Sequence, residues 1–226
     1  RFWEKVTLRE FKKIQDQYKE SGVEIKTHYT HGDLIPLINE FIDQLGVDII
    51  VMGSTGANGF RELIFGSNAQ KVVRRLNKPV IIVKNPPIRS EIKNIVFASD
   101  FYMGIQQGFN QLCEFAEIQH AKLHLVNITT FPKFQLSMDD KSRMLVFANL
   151  AKEKGLEVSI HEHADITIEH GIEQLTEFLG AALLAMVRYP HSLPYRMVVG
   201  SLTETIVNHL ELPVMTLPTA IDEKKE

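Results

Sequence analysis

Three glycines and a serine stand at fixed spacing, Gly53-x2-Gly56-x9-Gly66-Ser67. The chemistry this pattern serves is anion binding. Glycines let the backbone pass close to a phosphate, and the unpaired N–H groups of a helix start point at it. The flanks fit that use: the apolar run 47–52 precedes the loop and reads as a buried strand, and residues 68–76 follow as a helix. Met52 closes the strand, and Asn68 extends the polar helix start.

Other reactive residue types are scattered. Asp100 ends the apolar run 93–100, where an α/β sheet presents its ligand-binding end. With no second group specified by spacing, it reads as a binding residue. His161 and His163 share one face of a strand, with Asp165 and His170 nearby. Two-residue spacing suits zinc, but no third ligand is fixed, so no metal site is assigned. His28 and His31 read as strand-end residues near the cleft. Ser54, Ser67 and Ser201 lie in loops without a nucleophile elbow. No Gly-Lys-Ser/Thr run is present, so efficient phosphoryl transfer is not supported. Arg74 and Arg75 read as a solvated helix face. The single cysteine, Cys113, lies among Phe109, Leu112 and Ala116 and reads as a small buried hydrophobe. A lone cysteine forms no intrachain disulfide and suits a reducing compartment.

The elements that position these residues follow from periodicity. Residues 3–20 read as a helix with Phe11, Ile14 and Tyr18 on one face, stopped by Gly22. Residues 23–29 alternate like a strand. Asp33 is the expected N-cap of a helix whose stripe is Leu34, Leu37, Ile38, Phe41, Ile42 and Leu45, ended by Gly46. Residues 79–83 form another buried strand, and 84–90, with two adjacent prolines, a linker. Beyond it come a strand at 93–100, a helix around Phe109, a strand at 121–128, a loop at 129–140 and a helix at 141–154. A strand at 156–163, a helix on Ile168, Ile172, Leu175 and Leu179, a strand at 182–187, a helix at 202–210 and a strand at 213–217 complete the order.

The chain also repeats. Shifted by 134 positions, Leu45-Gly46 falls on Leu179-Gly180, Gly66-Ser67 on Gly200-Ser201 and Pro79-Val80 on Pro213-Val214. A constant offset with matching turn residues marks a duplication. The expected organisation is a first unit at 1–87, a second at 88–218 and a charged tail at 219–226. The second unit reads β-α-β-α-β-α-β-α-β, an open parallel sheet. The first reads only α-β-α-β-α-β, and the repeat predicts a further β-α-β piece of roughly forty residues ahead of residue 1. Without it the first unit exposes strand edges.

Loop pattern, element order, duplication and the closing Pro79-Val-Ile-Ile-Val83 together resemble the universal stress protein family in its tandem two-domain form. The resemblance spans nearly the whole chain, and the stretch from Met52 to Ser67 resembles the family's ATP-binding signature. It implies α/β architecture: two doubly wound, Rossmann-like parallel-sheet domains of the adenine nucleotide alpha hydrolase-like kind. It implies ATP, ADP or AMP, with magnesium as companion ion, held by Met52, Gly53, Gly56, Gly66, Ser67 and Asn68. It also implies a cytoplasmic, homodimeric stress-response protein acting through nucleotide-dependent binding of protein partners, with at most slow hydrolysis. In this family the last strands pair between domains, so 80–83 and 214–217 are expected to meet.

The second unit departs from the pattern. Val187 stands where Gly53 was and Pro190 where Gly56 was, and Tyr189, His191, Pro194 and Tyr195 crowd the loop. A branched side chain and a missing N–H predict weak or absent nucleotide binding there. One rival reading follows: Tyr189, Leu193 and Tyr195 fill the old loop and hold an apolar or lipid-like ligand. The other is a slow ATP hydrolase in the first unit. Composition narrows the field further. Of 226 residues 44% are hydrophobic and 23% charged, with net charge -3, which suits buried cores and favours neither nucleic acid nor an anionic membrane. No apolar run approaches the ~20 residues of a membrane span.

Overall fold

The computed structural model describes residues 2–54, 66–84, 91–102, 104–130, 137–188, 206 and 210–219. Their elements run α1 (Phe2–Gln17), α2 (Leu34–Leu45), β1 (Ile50–Gly53), α3 (Ser67–Arg75), β2 (Val80–Val83), β3 (Asn94–Ala98), α4 (Gln106–Ile118), β4 (Lys122–Thr129), α5 (Met138–Glu153), β5 (Val158–Ala164), α6 (Ile168–Phe178), β6 (Leu183–Val187) and β7 (Val214–Leu217). The seven strands form one sheet in the order β1-β2-β7-β6-β3-β4-β5.

The second unit supplies β3 to β7, all parallel, with β3 central between β4 and β6. That is a doubly wound order, reversing direction between β3 and β6, where such sheets open a ligand crevice. Its strands are near-continuous apolar runs because both faces are covered. Ile95, Phe97, Leu123, Leu125, Leu183 and Ala185 turn to one face and pack on Phe109, Leu112 and Cys113 of α4 and Met144 and Phe147 of α5. Val96, Ala98, Val126, Leu184 and Met186 turn to the other and meet Ile172 of α6.

The first unit supplies β1 and β2. The two units join where the resemblance placed the contact: β2 pairs with β7, antiparallel in an otherwise parallel sheet. The register is Val80↔Thr216, Ile81↔Met215 and Ile82↔Val214. Ile81 and Met215 are equivalent positions of the repeat, so the seam is self-complementary, as a two-fold contact must be. Both faces of the seam are buried. Val80 and Ile82 share one core with Ala69, Val72 and Val73 of α3 and with Val214, while Ile81 and Met215 join the opposite core.

Two expectations are corrected. Residues 23–29 form no strand, although Ile25, Thr27 and Tyr29 of the expected face are half-buried; Val23, the fourth, is exposed. The equivalent strand, β5, bonds to β4; among the described residues the first unit has no counterpart of β4, so the backbone of 23–29 finds no ladder. His28 and His31 accordingly end no strand: both are exposed, His28 4.9 Å from the ring of Phe41 and His31 5.0 Å from that of Tyr29. Asp33 is the N-cap of α2 as expected, with φ -71 and ψ 130, although its side chain makes no capping bond. Thr167, its equivalent, does cap α6, accepting from the His170 N–H. Most of the predicted helix at 202–210 and the tail beyond 219 lie outside the described residues.

Candidate functional site

The site is built from the end of one strand and the start of the next helix. β1 carries Met52 and Gly53 at its carboxyl end, in parallel register with β2, Met52↔Ile82 and Gly53↔Val83. Ser54 follows, buried, its N–H bonded to the Val83 carbonyl at 2.9 Å. α3 begins at Ser67 with Gly66 as N-cap, at φ -58 and ψ 142. The two ends meet: the Gly66 N–H donates to the Ser54 carbonyl at 2.9 Å. The loop therefore returns to the strand end from which it left. Gly56 and the rest of 55–65 lie outside the described residues.

This brings together Met52, Gly53, Gly66, Ser67 and Asn68 of the six expected site residues. Met52 is half-buried, Gly53, Ser67 and Asn68 are exposed, and Gly66 is partly so. No side chain caps the helix start, and its first turn holds no acidic residue. The N–H groups of the first turn have no intrahelical acceptor. They and the positive end of the helix dipole favour an anion. The buried face of α3, Ala69, Val72 and Val73, anchors this start against the sheet. Arg74 and Arg75 are exposed in the last turn, where cations suit the dipole.

Lys84 was not anticipated. It follows β2 directly, beside the Gly53↔Val83 pair, and is half-buried. Burial lowers its pKa, with Glu211 opposing. A perturbed cation at the carboxyl end of a sheet is a functional candidate. Position 84 carries no signal in the sequence because only the strand register brings it beside the loop.

In the second unit Val187 ends β6 at the place of Gly53 and is buried. Tyr189, Pro190, His191, Leu193, Pro194, Tyr195, Gly200 and Ser201, on which the apolar-ligand reading rests, lie outside the described residues. Asp100 stands two residues beyond β3, at the sheet's reversal point, and its Oδ1 accepts from the Tyr102 N–H at 3.1 Å. Phe101 between them is fully buried at φ 53, a left-handed backbone unusual for an aromatic residue. Cys113 is fully buried, and burial pushes its thiol up to about 12, which leaves it inert in the folded state.

Away from the glycine loop, β4 and β5 carry a polar cluster. Ser159 Oγ lies 2.7 Å from His124 Nδ1 and 2.9 Å from His161 Nε2, the two ring nitrogens are 3.2 Å apart, and Asn94 Oδ1 is 3.2 Å from His124 Nε2. His163 and His170 both contact Asp165, at 3.2 and 2.8 Å. His170's bond is the largest influence holding Asp165 down at about 2, with the Ile166 N–H and His163 adding to it. Among the described residues no group of three histidine, cysteine or acidic side chains is placed to hold a metal, and no helix is long and apolar enough to cross a membrane.

Comparison with known proteins places these features. The model of the universal stress protein family matches residues 2–84. A universal stress protein of Methanocaldococcus jannaschii is 37% identical over 75 residues, which are 33% of this chain and 44% of that protein. One of Bacillus subtilis is 32% identical over 77 residues, 34% of this chain and 52% of that protein. The chain thus spans about half the length of the curated relatives it matches. Among solved structures, a universal stress protein from Archaeoglobus fulgidus superposes with a TM-score of 0.71 at 20% identity, covering 97% of this chain and 78% of that one. A second, from Pseudomonas aeruginosa, gives 0.66 at 18%, covering 93% and 78%. At these identities the likeness is one of fold, and it takes in both units.

Proposed function

We propose, from the match of residues 2–84 to the universal stress protein family, that the first unit binds an adenine nucleotide and that the occupied state is read by a protein partner. The observation that carries this is the closure of β1 onto α3, with Gly66 bonded to Ser54 at 2.9 Å. It sets exposed Gly53, Ser67 and Asn68 around a helix start without a side-chain cap. Phosphates would lie against Gly66, Ser67 and Asn68, with Gly53 and Gly56 allowing close approach and Met52 beside the base. Lys84 would add a cation from the next strand. Magnesium would ride on the phosphates, since residues 52–54 and 66–68 include no carboxylate.

Binding rather than turnover is the reading. The described part of the loop presents no general base and no P-loop lysine. Nucleotide would order the loop and bias a surface the partner recognises. The second unit, with Val187 in place of Gly53, serves as a degenerate partner in a tandem protein, which we place in the cytoplasm because a free buried Cys113 suits a reducing compartment. Homodimerisation remains part of this proposal.

Calorimetric titration with ATP tests it. Gly66 has φ -58 and ψ 142, open to any residue, so Gly66→Val tests close approach without backbone strain. Micromolar binding by the natural sequence that Gly66→Val weakens at least tenfold (about 1.4 kcal/mol) is the expected outcome. Absence of micromolar binding, or equal binding by the variant, overturns the proposal.

A further inference from the structure

Among the described residues β5 is the last strand of the sheet, and its ladder runs to β4 alone, from Leu123↔Val158 to Thr129↔Ala164. Its alternation is inverted for an edge strand. Ser159, His161 and His163 are half-buried, while Ile160 and Glu162 are exposed. Residues paired in a parallel ladder point to the same side. His124, paired with Ser159, therefore shares the face of Val96 and Val126, and it is buried.

The hydrogen bonds fix the protons. Asn94 Oδ1 accepts only, so His124 Nε2 carries a hydrogen and Nδ1 presents its lone pair. Ser159 donates to that lone pair, and His161 Nε2–H donates to Ser159. With both rings neutral every group in the chain is satisfied. A proton on His124 Nδ1 would put a cation on a buried ring and would either face the His161 Nε2–H 3.2 Å away or force His161 and Ser159 to reverse their bonds.

The surroundings supply little counter-charge for it: Glu157 favours the charged ring, but burial and the neighbouring His161 and Lys122 outweigh it. On β4 the titratable neighbour is Lys122, which engages Glu157 at 2.6 Å. β3 offers the uncharged Asn94. α6 brings Ile172, Leu175 and Leu179 to this face and leaves Glu173 and Glu177 exposed. α5 packs on the opposite face, where Lys141 pairs with Glu162. At the far end of β5 the situation reverses. Asp165 accepts from both His163 and His170, and protonation of either ring makes a charged pair.

We propose that β5 is an acid-labile edge: mild acidification releases its amino-terminal half, around Ser159 and His161, from β4, while the Asp165 cluster keeps its carboxyl end in place. Released, the seam uncovers the edge of β4, a row of unpaired backbone groups that another strand can pair with. The sign is fixed by the histidine. Burial, with His161 and Lys122 beside it, holds His124 down at about 4, below its ordinary 6.5. The stability it contributes is full above pH 6.5 and is lost as pH falls from there toward 4. At pH 5 the opened population should exceed that at pH 7.5 by about 30-fold.

Hydrogen exchange at the two pH values, corrected for intrinsic rates, reads this directly. The amides of the amino-terminal half of the β4–β5 ladder should lose protection about 30-fold, while those beside Asp165 and those of β2 and β7 should not. His124→Asn with His161→Gln, which cannot be protonated, should keep the seam protected at pH 5. A seam as protected at pH 5 as the rest of the sheet overturns the proposal, as does equal opening in the double variant. Should that variant not fold, imidazole resonances of the natural protein decide. A His124 that titrates at its ordinary value with the seam still protected refutes the device. A His124 neutral until the seam opens supports it.

Discussion

At Gly108, on α4, a Cβ would stand 2.5 Å from the Pro218 carbonyl oxygen and 3.0 Å from Leu217 Cβ. The obstacle is backbone, which cannot turn aside. Gly108→Ala should therefore push α4 off the end of β7 and cost about 2 kcal/mol, seen as a lower denaturation midpoint with an unchanged slope. A midpoint within error of the natural protein would show that α4 slides freely. The sequence does not reveal this glycine, because the close approach belongs to a neighbour more than a hundred residues away. The same limit governs the polar groups. Gly53, Gly66, Ser67 and Asn68 were legible because one loop carries them at fixed spacing. Lys84 was not, since it comes to the end of β1 only through the β1–β2 register. His161 and His163 stood out by their two-residue spacing, which suggested a shared face and, weakly, a metal. Asn94, His124 and Ser159 passed unnoticed, and they turn that spacing into a neutral hydrogen-bonded relay.

Helices were read more reliably than strands for a reason visible in α5. Its apolar stripe, Met144, Phe147, Ala148 and Ala151, is local and buried as expected. Its start was misplaced by three residues because the signal lies in the cap rather than in the stripe. Ser137 accepts from the Asp140 N–H, and Asp140 accepts in return from the Ser137 N–H, closing a capping box. Arg143, one turn on, pairs with the same Asp140. Ser137→Ala should cost about 1 kcal/mol, while Ser137→Asn, which retains an acceptor, should cost little. Denaturation midpoints of the pair separate the cap from general packing; equal losses would sink the assignment. Strands depend on partners that lie elsewhere in the chain. Residues 158–164 and 23–29 have similar alternation, yet only the former meets a ladder. Periodicity specifies which face is buried, and pairing decides whether a strand exists.

Across the whole molecule, the seam makes two repeats into one body. Its strands were legible as apolar runs, and their meeting was implied by the family resemblance; the antiparallel sense and the two-fold centring on Ile81 and Met215 come from the structure. Thr216 adds a side-chain bond to the Val80 carbonyl at 3.4 Å. Because α3, which begins the proposed nucleotide site, shares a core with β7 and α6, ligand bound to the first unit should stabilise the second. Cys113 provides the reporter. It is fully buried in the second unit's core, and burial pushes its thiol up to about 12, so it reacts only when that core opens. If the units open together, ATP at one hundred times its dissociation constant should slow labelling of Cys113 by about 100-fold. Labelling at an unchanged rate, with nucleotide demonstrably bound, would mean that the second unit opens alone and that the seam transmits nothing. In Gly66→Val, which leaves the seam and Cys113 untouched, the same ATP concentration should slow labelling by about 10-fold or less, in step with its weaker binding. That control separates coupling through the sheet from nucleotide acting directly on the second unit.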